Sequence, residues 1–370
     1  MHGWLVIDKP VGPGSTRIVS AVKRALREGG YPKVKVGHGG TLDPLASGVL
    51  PIALGEATKL SGRMLDADKV YEFTIALGAE TDTLDAEGAV VARSDVRPTL
   101  AGVEAVLPRF TGEIEQVPPV YSALKVEGRR ACDLARSGAE VALKSRQVTV
   151  HSLNLLPDEP VGNEQVDRAP RARLQVAGQS APAQPGSPQP CRGHGGPVHG
   201  RGTAGTAVEG AQHLARPPLH HASHGPPPRS GEEQVTLRAR VSKGTYIRSL
   251  ARDIARALET VGHVTMLRRL KAGPFTLEGA ISLDKLSELA KARCLEQSLL
   301  PLTAGLDDIP ALSVTPDQAR ALRQGRTLIG IAAQPGLHLA TASNVPVALV
   351  ELSEGELRVV RGFNLNEEGV

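Results

Sequence analysis

Residues 37–48 read Gly-His-Gly-Gly-Thr-Leu-Asp-Pro-Leu-Ala-Ser-Gly. The glycines let the backbone approach a ligand closely, and Pro44 fixes the chain directly after Asp43. A carboxylate held on such a rigid loop can act as a nucleophile, a base or a metal ligand, whereas the simpler alternative is a turn aspartate bonded to nearby backbone. No Gly-Lys-Ser/Thr follows, which argues against a phosphate loop, and a metal site built from His38 and Asp43 lacks an obvious third ligand.

Outward from this loop, short apolar strands alternate with helices, which predicts an α/β or α+β domain. The first helix follows the turn at residues 9–15, with Ser15 or Thr16 as its cap and Ile18 and Val22 on its apolar face. Aromatic residues make up only 2% of the chain, so the core must be mostly Leu, Val, Ile and Ala. The predicted strands are 3–8, 50–54, 70–77, 148–155 and 235–241, and the predicted helices are 100–107, 131–136 and 246–258.

Residues 161–234 interrupt this pattern, with no aromatic residue, 11 of the 28 prolines and 6 of the 11 histidines. Such a composition cannot bury enough apolar surface to offset chain entropy, which predicts a disordered insertion. The histidines are spaced irregularly and have a single cysteine nearby, so a metal site is not expected there. GC-rich DNA read in a shifted frame would give a similar composition, and an intact-mass measurement on the native protein tests that alternative.

A small module is predicted at the end of the chain. The pattern past residue 302 predicts a helix over 315–324, capped by Thr315 with Pro316 in its first turn. Short alternating strands follow at 347–352 and 357–360, as in a β-rich module of about 60 residues.

Charge and composition narrow the class of protein. The net charge of +4 disappears when 161–231 is set aside, because that segment holds seven arginines and three acids. Two segments stay basic, 1–70 with ten Lys/Arg against six acids and 235–273 with nine against two, which fits an anionic ligand such as RNA. No apolar run approaches the length of a membrane helix, the first residues do not resemble a signal peptide, and the three cysteines form neither a CxxC pair nor a disulfide framework. A cytoplasmic protein is therefore expected.

The loop at 37–48 resembles the active-site motif of the TruB family, the tRNA pseudouridine-55 synthases. Seven further segments, in the same order as in that family, resemble its other motifs. These segments are 5–12, 54–59, 68–71, 81–85, 121–125, 242–248 and 267–270. The resemblance covers about 1–158 and 235–305, with a weaker match beyond.

The resemblance implies an α+β fold: a pseudouridine synthase catalytic domain with a mixed, largely antiparallel sheet flanked by helices, and a small β-rich PUA-like domain. The corresponding ranges are 1–160 and 235–305 for the catalytic domain, 161–234 for the insertion and 306–370 for the PUA-like module. The family joins the strands on either side of the insertion by a short turn. Loop entropy grows slowly with length, so the fold can accommodate a longer connection.

The implied reaction is isomerisation of a uridine in the T arm of tRNA to pseudouridine after the base has been flipped out. Asp43 matches the catalytic aspartate, which can attack C1′, attack C6 or act as a base at C2′, and the sequence does not choose between these routes. Arg248 matches the arginine that pairs with and orients this carboxylate. Tyr71 matches the tyrosine that stacks on the flipped base and that can also serve as a base in the isomerisation. No cofactor and no metal are expected.

The implied substrate-binding residues surround these three. Tyr246 and Leu267 match residues of the pocket wall, and His38 matches a histidine that helps hold the flipped nucleotide. Four lysines are candidates for phosphate contacts, which position RNA without reading its sequence: Lys9, Lys59, Lys69 and Lys125. The expected partner is the tRNA T stem-loop, bound by a monomer with no protein partner.

Two positions depart from the family pattern. Gly39 replaces a common Thr or Val, which predicts a looser loop, and Gly14 replaces a common Thr or Ser.

Two other functions remain open: an RNA-binding or RNA-folding protein without catalysis, and a metal-dependent hydrolase that uses His38 and Asp43. The co-occurrence of Asp43, Tyr71 and Arg248 favours the isomerase.

Overall fold

The computed structural model of the protein describes residues 1–126, 128–139, 141–157 and 233–365. The predicted disordered insertion over 161–234 therefore lies outside the described residues, except for Glu233 and Gln234. These two residues begin a strand two positions before the predicted boundary, because their backbones pair with Leu77 and Ala76.

The larger part of the fold, which precedes the C-terminal module, is built on short strands, joined by helices and by 3-10 turns at Gly55–Leu60, Leu107–Phe110, Leu295–Ser298 and Leu302–Gly305. Its strands are β1 (Gly3–Lys9), β2 (Val36–His38), β3 (Ser47–Leu54), β4 (Lys69–Leu77), β5 (Ala79–Thr81), β6 (Val90–Arg93), β7 (Gly112–Gln116), β8 (Lys125–Val126), β9 (Arg129–Arg130), β10 (Arg146–Leu155), β11 (Glu233–Val241), β12 (Gly262–Ala272) and β13 (Phe275–Thr276). Its helices are α1 (Ser15–Glu28), α2 (Ser61–Asp66), α3 (Leu100–Val106), α4 (Ala131–Arg136), α5 (Ile247–Ala257) and α6 (Leu283–Lys291). No helix of the described ranges is long and apolar enough to span a membrane.

Nine of these strands form one sheet with the order β1-β3-β12-β4-β11-β10-β7, in which β2 pairs with β3 and β13 pairs with β12. Within this described sheet only the contact between β12 and β3 is parallel, so the prediction of a mixed, largely antiparallel sheet is confirmed. The parallel contact lies at Arg268–Ser47 and Arg269–Gly48, directly after the loop that carries Asp43. The centre of the sheet therefore meets the end of that loop.

Helix α1 packs its predicted apolar face, Ile18 and Val22 included, into the main core. The predicted cap at Ser15 or Thr16 is wrong. Gly14 occupies the N-cap without a side-chain bond, and the buried Ser15 hydroxyl instead contacts Leu42. The helix thus gives up a cap in order to hold the loop before Asp43.

Two elements of the core were not predicted from the sequence. Strand β12 lies between β3 and β4 in the centre of the sheet, and helix α6 contacts α1. Strand β12 contains two register shifts against β4, between Val264 and Met266 and between Arg269 and Lys271. Each shift breaks the alternation of apolar and polar residues by which a strand is identified in a sequence.

The C-terminal module is a five-stranded sheet with the order β14-β16-β17-β18-β15 and one helix. Helix α7 has the predicted Thr315 cap, which forms a capping box with Gln318, and a proline in its first turn. The α+β class with a separate β-rich C-terminal sheet is thereby confirmed. The elements are β14 (Ala311–Ser313), α7 (Pro316–Arg323), β15 (Leu328–Ile329), β16 (Gly336–Ala342), β17 (Val345–Ser353) and β18 (Glu356–Gly362).

A second apolar core joins this module to the back of β1 and β3. Trp4 and Phe363 are both fully buried in it. The Glu56 carboxylate accepts from the Asn364 amide at 2.8 Å, and Lys59 Nζ donates to the Gly362 carbonyl at 2.8 Å. Lys59 is therefore engaged at the contact between the two sheets.

Candidate active site

An open pocket of about 510 Å³ lies at the end of strands β4 and β12, beside the loop that carries Asp43. Six of the predicted site residues line it together: Asp43, Lys69, Tyr71, Tyr246, Arg248 and Leu267. The chain positions that they occupy are far apart, so it is the sheet that brings them together. Tyr71 lies on β4, and Leu267 lies on the adjacent strand β12, two residues before the partner of Tyr71. Arg248 lies in the first turn of α5.

The loop before Asp43 is held by Ser15, which is 3% exposed. Its hydroxyl accepts from the Leu42 amide at 2.8 Å and donates to the Leu42 carbonyl at 3.1 Å. Gly39 packs against Met64, where an added Cβ would lie 2.7 Å from the Met64 Cβ. The glycine at this position therefore gives close packing.

The loop after Asp43 is held by Lys9, whose side chain is fully buried. Its ammonium donates to the Pro10 carbonyl at 2.9 Å, to the Pro44 carbonyl at 3.2 Å and to the Ala46 carbonyl. Burial is the main cause that lowers the pKa of Lys9 to about 8. A phosphate contact, the role that the resemblance implied for Lys9, does not fit this position, because all three N–H groups are used inside the protein.

Arg248 is the central charge of the site. Its Nη2 lies 2.8 Å from Asp43 Oδ2, and its Nη1 lies 3.2 Å from Asp85 Oδ2. The same two nitrogens donate to the carbonyls of Tyr121 at 2.9 Å and Thr83 at 2.8 Å. The guanidinium is thereby fixed by four acceptors, and its planar geometry fixes the direction of the Asp43 carboxylate.

Asp85 is a residue of the site that sequence reasoning did not select. It is 3% exposed, and its carboxylate also accepts from Thr83 Oγ1 at 2.6 Å and from the Glu87 amide at 3.1 Å. Its segment, 81–85, carried the family resemblance, but an aspartate in a Thr-Asp-Thr-Leu-Asp turn gives no sign of which carboxylate points inward. Burial, with Asp85 and Asp43 as further causes, raises the pKa of Glu87.

The two tyrosines of the pocket lie on different elements, Tyr71 on β4 and Tyr246 directly before α5. Tyr71 is half-buried and packs against the main core. Tyr246 lies at the N-cap of α5, where its backbone exchanges two hydrogen bonds with the buried Gln116 amide group. The Arg146 guanidinium lies over the Tyr246 ring, 4.8 Å from its centre, so Arg146 joins the pocket although sequence reasoning did not identify it.

His38 lies on β2, outside the set of residues that line the pocket. Its Nδ1 is buried and has no hydrogen-bond partner among the described residues. Burial, followed by the charge of Arg269, lowers the pKa of His38. The expected contact of His38 with the flipped nucleotide therefore stays a prediction, because His38 does not line the pocket.

The remaining predicted lysines separate into three environments. Lys69 lines the pocket but is 8% exposed, and its ammonium donates to the carbonyls of Leu65 and Ala67. Lys59 contacts the C-terminal module, and Lys125 is exposed on the β8–β9 hairpin. Of the four predicted lysines, Lys125 is the most accessible to a phosphate. A further lysine, Lys243, is also accessible: its side chain is 64% exposed and pairs with Asp66.

The described ranges contain no cluster of three His, Cys, Asp or Glu side chains that could hold a metal ion. Within those ranges, no third ligand accompanies His38 and Asp43, the two residues that a metal-dependent hydrolase would use.

Two family models match the chain. One, described as TruB family pseudouridylate synthase (N terminal domain), matches residues 24–167. The other, described as tRNA pseudouridylate synthase B C-terminal domain, matches residues 248–307.

Similar proteins extend over nearly the whole chain. A tRNA pseudouridine synthase B from Novosphingobium aromaticivorans is 54% identical over 367 residues, which cover 99% of each chain. Another, from Zymomonas mobilis, is 52% identical and covers 98% of this chain and 96% of its own. Among solved structures, a crystal structure of a Cbf5-Nop10-Gar1 complex matches with a TM-score of 0.61 at 22% identity, over 99% of this chain and 86% of that chain, which concerns the fold alone.

Proposed function

The chain belongs to the TruB family of pseudouridylate synthases and acts on tRNA, and we propose that it isomerises the uridine at position 55 in the T arm, with Asp43 as the catalytic carboxylate. The observation that carries this proposal is the contrast between Arg248 and Asp43. The arginine side chain is 6% exposed and the aspartate side chain 40% exposed, with 2.8 Å between them. The carboxylate is thus immobilised from inside while it stays open to a substrate.

The isomerisation breaks the C1′–N1 bond, rotates the base and joins C5 to C1′. The hydrogen on C5 leaves as a proton and N1 gains one, so no electrons and no group are transferred to another molecule. No cofactor is required for this balance. Asp43 provides the nucleophile or the base that the first bond change needs, by attack at C1′ or C6 or by proton removal at C2′.

The target base has to leave its stack, which costs a few kcal/mol. The proposed pocket receives it between Tyr71 and Leu267, which are close neighbours on adjacent strands. Stacking of the flipped uracil on Tyr71 returns ~1–3 kcal/mol. Tyr246, held by Gln116 and covered by Arg146, lines the same pocket.

The RNA backbone is proposed to follow the basic residues around the pocket mouth. Lys125 and Lys243 are exposed there, and Arg146 lines the pocket. Contacts of this kind position a stem-loop without reading its sequence. We propose that the protein binds the T stem-loop as a monomer, in the cytoplasm, where tRNA is modified.

The test is release of tritium from a tRNA transcript labelled at C5 of uridine. The wild-type protein should release one equivalent per tRNA without added metal. A transcript with cytidine in place of the T-arm uridine should release none. Equal release from both transcripts would assign the activity to another uridine, and no release from either, with tRNA still bound, would favour the RNA-folding function.

A further inference from the structure

Arg269 is a fully buried arginine beneath the loop that carries Asp43. It lies on β12, is 1% exposed and lines the pocket. Its Nε donates to the Val49 carbonyl at 2.7 Å, and its Nη1 donates to the Thr41 carbonyl at 3.3 Å. One guanidinium thus joins the two ends of the loop.

The backbone of Arg269 reinforces this connection. Arg269 pairs with Gly48 in the parallel contact between β12 and β3. Gly48 has a φ of +100°, and a Cβ added there would lie 2.2 Å from the Arg269 carbonyl oxygen. A larger residue at 48 would push the loop away from β12, so the glycine is required by this close approach.

The charge of Arg269 has no direct counter-ion. Among the described residues, no carboxylate lies within ion-pair distance of Arg269 or of Lys9, although both side chains are almost completely buried. The Nη2 of Arg269 is also without a hydrogen-bond partner in the same set of residues. Burying a charge without a partner costs several kcal/mol, so a hydrophobic residue would serve stability better.

We propose that Arg269 is a positioning residue for Asp43: its fork joins Thr41 to Val49 and thereby fixes the loop against Arg248. This inference rests on the proposed function, since it takes Asp43 as the catalytic carboxylate. Arg269 fixes the two ends of the loop, and Lys9 fixes its middle through Pro44 and Ala46. A misplacement of about 1 Å at a reacting group can cost about a hundredfold in rate.

Lys9 gives the proposal a second readout. The pKa of Lys9 is lowered to about 8: burial is the main cause, Asp43 and Glu87 act in the opposite direction, and the charge of Arg269 is a further cause that lowers it. A neutral amine has two N–H groups, so deprotonation loses one of the three carbonyl contacts and loosens the loop. The rate should therefore fall above pH 8.

The charge of Arg269 should set the pH at which the rate falls, which is the alkaline limb of the pH–rate profile. Removing its charge takes away one cause that lowers the pKa of Lys9, so the limb should move to higher pH. Lys69 has a pKa lowered to about 8 as well, again with Arg269 among the causes, but it bonds to Leu65 and Ala67 and not to the loop. The limb should therefore persist in Lys69→Gln.

The experiment compares the full-length wild type with Arg269→Gln and Arg269→Lys, using single-turnover tritium release and tRNA binding from pH 6.5 to 9.5. Arg238→Gln is the matched control, because Arg238 is a half-exposed arginine of the same sheet that pairs with Glu72 and does not line the pocket. Arg269→Gln should lose about a hundredfold in rate with unchanged tRNA affinity and a limb at higher pH. Arg269→Lys keeps the charge but cannot span both carbonyls, so it should lose less rate and keep the limb near pH 8.

Three outcomes overturn the inference. A rate for Arg269→Gln equal to that of Arg238→Gln would show that Arg269 does not position Asp43. A loss of tRNA affinity that accounts for the loss of rate would make Arg269 a phosphate contact. A limb that disappears in Lys69→Gln would remove Lys9 from the explanation. If the wild type itself releases no tritium, it is the proposed function that fails.

Discussion

Arg248 Nη2 lies 2.8 Å from Asp43 Oδ2, and the two side chains differ sharply in exposure, at 6% and 40%. The arginine is anchored inside the protein by two carbonyls and by Asp85. The buried Arg248 therefore sets the orientation of the exposed Asp43 carboxylate. Changes to the groups that hold Arg248 should lower the rate more than they lower the affinity for tRNA.

Asp85→Asn tests the anchor. The substitution removes the buried charge that faces Arg248 but keeps an oxygen for the Thr83 hydroxyl and the Glu87 amide. Arg248 should then shift relative to Asp43, with a loss of roughly tenfold to a hundredfold in rate, equal to about 1.4–2.8 kcal/mol. Single-turnover tritium release measures it. Asp82→Asn, in the same turn but exposed, is the control, and an equal effect of both variants would contradict the role of Asp85.

Ser15→Ala tests the anchor of the loop. Loss of the hydroxyl leaves the buried Leu42 amide and carbonyl without their partner, which costs about 1–3 kcal/mol of stability. The rate should fall as well, because Leu42 precedes Asp43. Urea unfolding and tritium release measure the two effects. Ser20→Ala, on the exposed side of the same helix, should change neither, and wild-type behaviour of Ser15→Ala would rule out the anchor.

Tyr71→Phe and Tyr71→Ala separate stacking from proton transfer. The phenylalanine keeps a ring for the flipped base, whereas alanine loses stacking worth ~1–3 kcal/mol. If Tyr71 acts only by stacking, the phenylalanine variant should retain most of the rate and the alanine variant should not. Equal, large losses in both variants would instead assign a chemical role to the hydroxyl.

The buried Lys69 makes stability depend on pH. Burial lowers its pKa to about 8 in the folded protein, from an ordinary value of 10.5. Between these values the unfolded chain binds more protons, so the free energy of unfolding rises with pH in that window. The free energy of unfolding of the wild type, taken relative to that of Lys69→Met, should rise by about 2 kcal/mol between pH 7.5 and pH 9.5. Urea unfolding at the two values measures the gain, and a difference that stays constant with pH would show that Lys69 titrates as an exposed lysine.

Five strands of the main sheet and four of its helices could be predicted from the sequence, because their apolar residues alternate or recur at helical spacing: β1, β3, β4, β10, β11, α1, α3, α4 and α5. The sequence did not predict β12, the central strand that carries Leu267 and Arg269, since two register shifts interrupt its alternation. The family resemblance supplied Asp43, Arg248 and Tyr71, and the structure brings these residues to one pocket. Whether they carry the chemistry stays a prediction.

The tasks of individual polar side chains could not be read from the sequence. Lys9 is the last residue of β1 and is buried, although a lysine beside a proline-rich turn is normally exposed. Ser15 was a predicted cap of α1, but its hydroxyl bonds to Leu42, 27 residues away. Such contacts depend on long-range packing, which local patterns do not contain.

The most direct test of the central claim is tritium release from C5-labelled tRNA by wild type and Asp43→Asn, side by side and without added metal, with tRNA binding measured in parallel. The asparagine has the size of the aspartate but cannot act as a nucleophile or a base. The expected result is release by the wild type, a loss of at least about a thousandfold in the variant, and unchanged tRNA affinity. Substantial turnover by Asp43→Asn would contradict the assignment of Asp43 as the catalytic carboxylate.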